Sequence, residues 1–232
     1  MKYRKLGIIA ISAIFISACT NKPTPPKSSV VNTRIVSLNN GKTIEVLTEH
    51  AINGDIIEDT DANLNLVTKT DRTKAIGATA LQFGVSLLFG GQTKTFTKEQ
   101  LKGNHIDSVK NKTVDYVNPQ LDILLNTLNI SSIQPNKVSI KPYKFKLIYS
   151  DIDDKYDFIY SFTIRSNDYF QRCSSEDLIS SDTSKSILEW ENDNYKLTQV
   201  VAKKIVDNCF EKMTVGAERE KLEKAINGNL KI

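Results

Sequence analysis

Histidine is almost missing from this chain, and much of the side-chain chemistry that operates near neutral pH is missing with it. Two histidines, His50 and His105, serve 232 residues. Neither has around it the ligand set of three or four residues that a zinc site needs. Ser86, in Gly84-Val85-Ser86-Leu87-Leu88, lacks the second glycine of a nucleophile elbow. Gly90-Gly91 is not followed by the Lys-Ser/Thr of a phosphate-binding loop. Asp59-Thr60-Asp61-Ala62-Asn63 begins like a calcium loop, but Leu64 replaces the turn glycine and Thr70 the closing glutamate. Asp151, Asp153 and Asp154 read as turn residues bonding their own backbone. No long Lys/Arg run is present, so a nucleic-acid partner is not expected. On this pattern no catalytic residue, metal ligand or cofactor is assigned.

Charge is unevenly placed in what remains. Lys2, Arg4 and Lys5 are followed by an uncharged, mostly apolar stretch, Leu6 to Ile16, and then by Ser17-Ala18-Cys19. A basic start, a short apolar run and two small residues make the plan of a secretory signal peptide, too short to span a bilayer. The cysteine after the small pair resembles the lipobox of bacterial lipoproteins. That resemblance implies cleavage before Cys19, a diacylglycerol on its sulfur, acylation of the new amine, and membrane attachment through that lipid. It also implies the outer membrane, because the residue after the cysteine is Thr20 and not the aspartate that favours inner-membrane retention. Without the three leader cations, 28 basic side chains face 27 acidic ones, so the overall basicity is largely the leader's.

The cysteine count fits this reading. Of three cysteines, a lipidated Cys19 leaves Cys173 and Cys209, which an exported chain is free to join. Residues 1–18 are thus read as signal peptide. Residues 19–31, with Pro23, Pro25 and Pro26 among polar neighbours, are read as a semi-rigid tether. Residues 32–232 are read as one globular domain, for which an apolar fraction of 40% is sufficient.

Within that domain, Thr33–Leu38 and Thr43–Thr48 flank Asn39-Asn40-Gly41-Lys42, a hairpin signal, and Leu64–Lys69 is a further short strand. Thr97 with Gln100, stapled by Phe96 and Leu101, predicts a short helix ending by Gly103. Pro119 at a first turn, with Leu121, Leu124, Leu125 and Leu128 on one face, predicts another. Tyr143, Phe145, Leu147 and Tyr149, then Phe158, Tyr160, Phe162 and Ile164, alternate about Asp151–Lys155. That predicts a hairpin with its aromatic side in the core. Leu197, Val201, Ile205 and Cys209 recur at helical spacing, and Ala217–Ile226 is a charged helix closed by Gly228. Strands, helices, a hairpin and more helices give an α+β fold: an antiparallel sheet with hairpins, packed on several helices, its C-terminal part helical.

Two places could serve a partner. Ala75–Thr93 carries no charge. As a helix it would align Gly77, Ala80 and Gly84 in a small-residue stripe with Phe83 on a neighbouring one, and as a strand it would put Phe83, Val85, Leu87 and Phe89 on one face; either way it is expected to be a buried core element, with a subunit-packing or membrane-touching segment as the alternative. Ile148 and Ile159 fall on the face of the aromatic hairpin opposite the core. A strong anchor, a short tether and no catalytic constellation lead to one expectation: a lipid-anchored envelope protein, facing the periplasm, that acts through contacts with an envelope protein partner. The alternative is a periplasm-facing ligand-binding protein or cell-wall-modifying enzyme whose site assembles only on folding.

Overall fold

The computed structural model describes residues 28–51, 60–71, 73, 98–131 and 136–228. The signal peptide, Cys19, the prolines of the tether and all of Ala75–Thr93, with Gly77, Ala80, Phe83 and Gly84, lie outside them, as do Phe96 and Thr97. The fold is α+β: one mixed sheet of eight strands with helices against it. Its strands are β1 (Ser28–Ser37), β2 (Thr43–Ala51), β3 (Asn63–Val67), β4 (Asn104–Lys110), β5 (Asn136–Tyr149), β6 (Lys155–Ser166), β7 (Tyr169–Ser174) and β8 (Ser184–Ser186). Among the described residues the helices with both ends in view are α1 (Thr113–Thr127), the single-turn α2 (Ser180–Thr183), α3 (Ile187–Thr214) and α4 (Gly216–Ile226).

β5 organises the sheet. Its first half runs parallel to β2 and its second half parallel to β3, while β6 lies antiparallel along its other side. The antiparallel sheet expected from the sequence is therefore mixed. β1 and β2 form the expected hairpin, with Gly41 at φ +80° in the turn. That conformation favours the residue without a Cβ. β1 starts at Ser28, so the last four residues assigned to the tether are strand. β4 and β7 carried no clear period in the sequence. β7 turns off β6 through Asn167-Asp168, with Asn167 at φ +48°, a turn chemistry legible in principle.

The hydrophobic core lies between the sheet and α1, α3 and α4. Phe145, Phe158, Tyr160, Phe162 and Trp190 stack and meet edge-on at centroid distances of 5.7–6.3 Å. The Tyr160 hydroxyl meets Thr113 Oγ1 at 2.7 Å. Tyr143 does not join the aromatics, because a bulge between Pro142 and Phe145 interrupts the alternation, and Tyr149, expected on the same face, packs instead in the separate cluster with Val67 and Ile148. Tyr143 is half-buried, beneath Lys141 Nζ at 5.9 Å. Helix α1 begins six residues before Pro119, which sits inside it. Asn111 Oδ1 accepts from Thr113 N and Oγ1 at its start. The short helix expected after Thr97 is a single 3-10 turn, Lys98–Gln100. Cys173 on β7 and Cys209 on α3 lie at disulfide distance, Cα–Cα 5.7 Å, and join the sheet to the long helix.

Candidate functional site

The bulge in β5 builds the most polar interior place among the described residues. Two residues of β5, Tyr143 and Lys144, stand where β6 offers one, and the backbone groups this displaces need partners. The Thr60-Asp61 pair supplies them. Asp61 N donates to Tyr143 O (2.8 Å), and Asp61 Oδ2 accepts from Phe145 N (2.8 Å). Thr60 Oγ1 donates to Pro142 O (2.7 Å) and accepts from Ala51 N (3.1 Å). Asn65 Nδ2 donates to Asp61 Oδ1 (2.7 Å) and Asn111 Nδ2 to Asp61 O (2.7 Å). The plug thus ties β3, β5 and the entry to α1 together.

Lys146, on the outer face of β5, is 2% exposed. Its Nζ donates to Leu101 O (3.0 Å) and lies 3.8 Å from Asp61 Oδ2. Burial raises the Asp61 carboxyl above its ordinary value against the pull of the Lys146 charge. Burial also lowers the Lys146 ammonium against the pull of Asp61. Desolvation outweighs the mutual attraction for both partners. Beside the pair is a cavity of about 170 Å³, lined by Asp61, Asn65, Lys102, His105, Lys144 and Lys146 among others. Asn65 is 2% exposed and its Oδ1 has no hydrogen-bond partner. A small molecule carrying negative charge for the lysines and one N–H or O–H for Asn65 Oδ1 suits this lining.

The sequence reading missed this place. In the sequence Asp61 belongs to a broken calcium loop, and His105 has no ligand set around it. Neither Lys146 nor Asn65 stands out without the bulge that gathers them. Among the described residues no group of histidine, cysteine and acidic side chains is placed to hold a metal ion. No described helix is long and apolar enough to cross a membrane. Asp153 Oδ1 accepts from Lys155 N (3.2 Å), the local bonding expected of that turn.

Ile148 is 1% exposed, in a second cluster with Val67 and Tyr149 against which Leu101 and the half-buried Ile159 pack. The layer over this part of the outer face is the chain's own Lys98–Gly103 stretch. Lys98 Nζ donates to Tyr149 O (3.3 Å). Gly103 passes so near β3 that a Cβ there would stand 2.5 Å from Leu66 O.

Aliphatic exposure is instead found at the sheet edge. Among the described residues β2 is the strand that β1 pairs with. Val30, Val31 and Ile35 are 54%, 50% and 62% exposed. Arg34 points the other way and ties β1 to α1 through Asp122 (2.7 Å) and Asn118 (3.2 Å). A register shift between Val30 and Asn32 puts one extra residue, Val31, into the strand. Comparison with family models, with curated proteins and with solved structures finds no match to this chain.

Proposed function

We propose that this chain is a lipid-anchored envelope protein that works by protein contact, with the edge of β1 that no described strand covers as its contact element. The observation that carries the reading is the position of that edge. Eight residues separate Cys19, the lipobox cysteine, from Ser28, where an edge strand with three exposed aliphatic residues begins. An edge strand offers unpaired N–H and C=O groups, and proteins with no use for such an edge blunt it with charge, proline or a bulge. β1 has one charged residue, Arg34, turned towards α1, no proline, and a bulge confined to Val31, which leaves Asn32–Ser37 regular. The leader supports attachment through Cys19, Thr20 supports the outer membrane, and the domain then faces the periplasm.

The test is fractionation and cross-linking of the full chain produced with its leader. The native protein sediments with outer membranes and gains the mass of a lipidated cysteine. Cys19→Ala releases it or leaves the leader uncut. A photo-reactive residue at Ile35 forms protein adducts, and one at exposed Ile152, in the β5–β6 turn, does not. Unchanged fractionation of Cys19→Ala, or no adduct at Ile35, sinks the reading.

A second reading is favoured by one observation, the unpartnered Asn65 Oδ1 beside a lysine-lined cavity. In that reading the domain binds a small anionic ligand bearing a donor group. Thermal unfolding with hydroxy acids, amino acids and sugar phosphates tests it. A shift that Lys144→Ala removes supports it, and no shift with any member counts against it.

A further inference from the structure

The edge strand has a sequence property that the fold turns into geometry. Ser29-Val30-Val31-Asn32-Thr33-Arg34-Ile35-Val36-Ser37 reads nearly the same in both directions about Thr33. Serine answers serine, valine answers valine, Val31 answers Ile35, and Asn32 answers Arg34. A two-fold interface requires such self-complementarity, since residue i of one copy meets j of the other and j meets i. Two antiparallel β1 strands centred on Thr33 meet it. From this we infer that a second copy of this chain is the occupant of the β1 edge, pairing antiparallel about Thr33 to make one sheet across two molecules. The inference rests on the contact reading above and names the partner.

Three further observations fit this register. The one charge on the strand, Arg34, stands opposite Asn32 of the other copy and not opposite itself; like charges facing each other across strands are destabilising. Arg34 is moreover occupied by Asp122 and Asn118 on its own α1. The bulge does not spoil the match. With Val31 the extra residue, Val30 meets Ile35, both aliphatic and more than half exposed in the single chain, and Ser28 meets Ser37. A register centred one residue later would set Arg34 against Arg34.

The anchor supplies what a pair of short strands lacks. One strand pair is a small interface, well below the area of a stable dimer in solution. Two chains held on one surface meet at an effective concentration far above that in bulk. In the proposed register, with Val31 the extra residue, the two Ser28 residues lie about 26 Å apart on either side of the two-fold axis, at about 3.3 Å per residue. Each tether of eight residues reaches up to about 26 Å, so one bilayer serves both copies. The pair therefore forms on the membrane and falls apart in dilute detergent.

The experiment uses the full, lipidated chain in vesicles, with a thiol–thiol linker of about 8 Å, longer than the Cβ separation of facing residues. Thr33→Cys places the thiol on the two-fold axis and is expected to cross-link to a homodimer. Ser37→Cys alone puts its two thiols about 26 Å apart and gives no dimer. Mixing Ser28→Cys with Ser37→Cys chains restores the product, since the extra residue at Val31 sets Ser28 opposite Ser37. Adding Ile35→Lys to Thr33→Cys cuts the dimer at least tenfold while thermal unfolding is unchanged. Absence of the Thr33→Cys dimer, or equal dimer from Ser37→Cys alone, overturns the self-pairing. A Thr33→Cys adduct of another mass also overturns it but leaves protein contact through β1 standing. No adduct of any kind from Thr33→Cys or from the photo-reactive Ile35 removes both.

Discussion

Two acidic residues on neighbouring elements show how burial and partners set opposite pH responses. Asp61 is raised by burial despite Lys146, and Lys146 is lowered by burial despite Asp61. Replacing Lys146 with methionine keeps the volume and leaves Asp61 without its cation. Removing one partner of a buried pair costs on the order of 3 kcal/mol near neutral pH. The remaining carboxyl has a folded-state value above its unfolded one, so the penalty is present at neutral pH and shrinks as acid protonates Asp61. Urea unfolding of Lys146→Met against the native chain from pH 7 to pH 4 measures this, and a penalty independent of pH refutes it. Glu49 is the reverse case. Burial pushes it up, but hydrogen bonds from Ser28 and Lys141 and the Lys141 charge together outweigh that and hold it below its ordinary value. Its contribution to stability is present above the unfolded value and is lost as pH falls through the lower folded one. Glu49→Gln is expected to be less stable than the native chain at pH 7 and to converge with it in strong acid, as unfolding at both pH values will show.

At the scale of the element, period was a good guide where strands and helices are regular and failed where they are interrupted. The leucine face of α1 was legible, but its start was not: proline suggested a first turn, whereas Asn111 fixes the start six residues before it. The aromatic alternation of β5 and β6 was legible, and the bulge that expels Tyr143 was not, because its cause, Asp61, lies 82 residues away in sequence. Helix α3 carries an interruption that no spacing revealed. Asp193, Asn194 and Tyr195 have φ of +51°, +53° and +60°, and Lys196 resumes the helix. Each such residue costs about 1 kcal/mol or more in the left-handed region. Fully buried Trp190, whose Nε1 donates to Tyr156 O (2.9 Å), holds the segment before the turn. Buried Val201, Ile205 and Cys209 hold the segment after it. Asp193 is exposed and its carboxylate forms a surface pair with Lys196, which is worth little. Asp193→Gly should therefore raise stability by about 0.5–1 kcal/mol, and Asp193→Val should lower it by about 1–2 kcal/mol. Denaturation midpoints that move alike for the two variants would contradict this account.

For the molecule as a whole, the join between Cys173 and Cys209 matters most for stability outside the core. It spans 36 positions and links the β7 side of the sheet to α3. A bond closing a loop of that length contributes about 3–4 kcal/mol in the chain-entropy account. Reductant should lower the urea midpoint of the native chain by that equivalent and leave Cys173→Ala/Cys209→Ala unmoved. A native midpoint insensitive to reductant would contradict the bond. Local patterns in the sequence determined the α+β class, the β1–β2 and β5–β6 hairpins, the apolar face of α1 and the helical C-terminal part, because period and turn chemistry act over a few residues. Only the tertiary structure decided that β5 pairs with both β2 and β3 in parallel, that Ile148 is covered by the chain's own Lys98–Gly103, that Asp61, Asn65 and Lys146 share one interior place, and that β1 is an edge among the described strands. Each of these depends on segments tens of residues apart meeting across the sheet. No local period carries that information, since burial and pairing at a distance are settled by the packing of the whole chain.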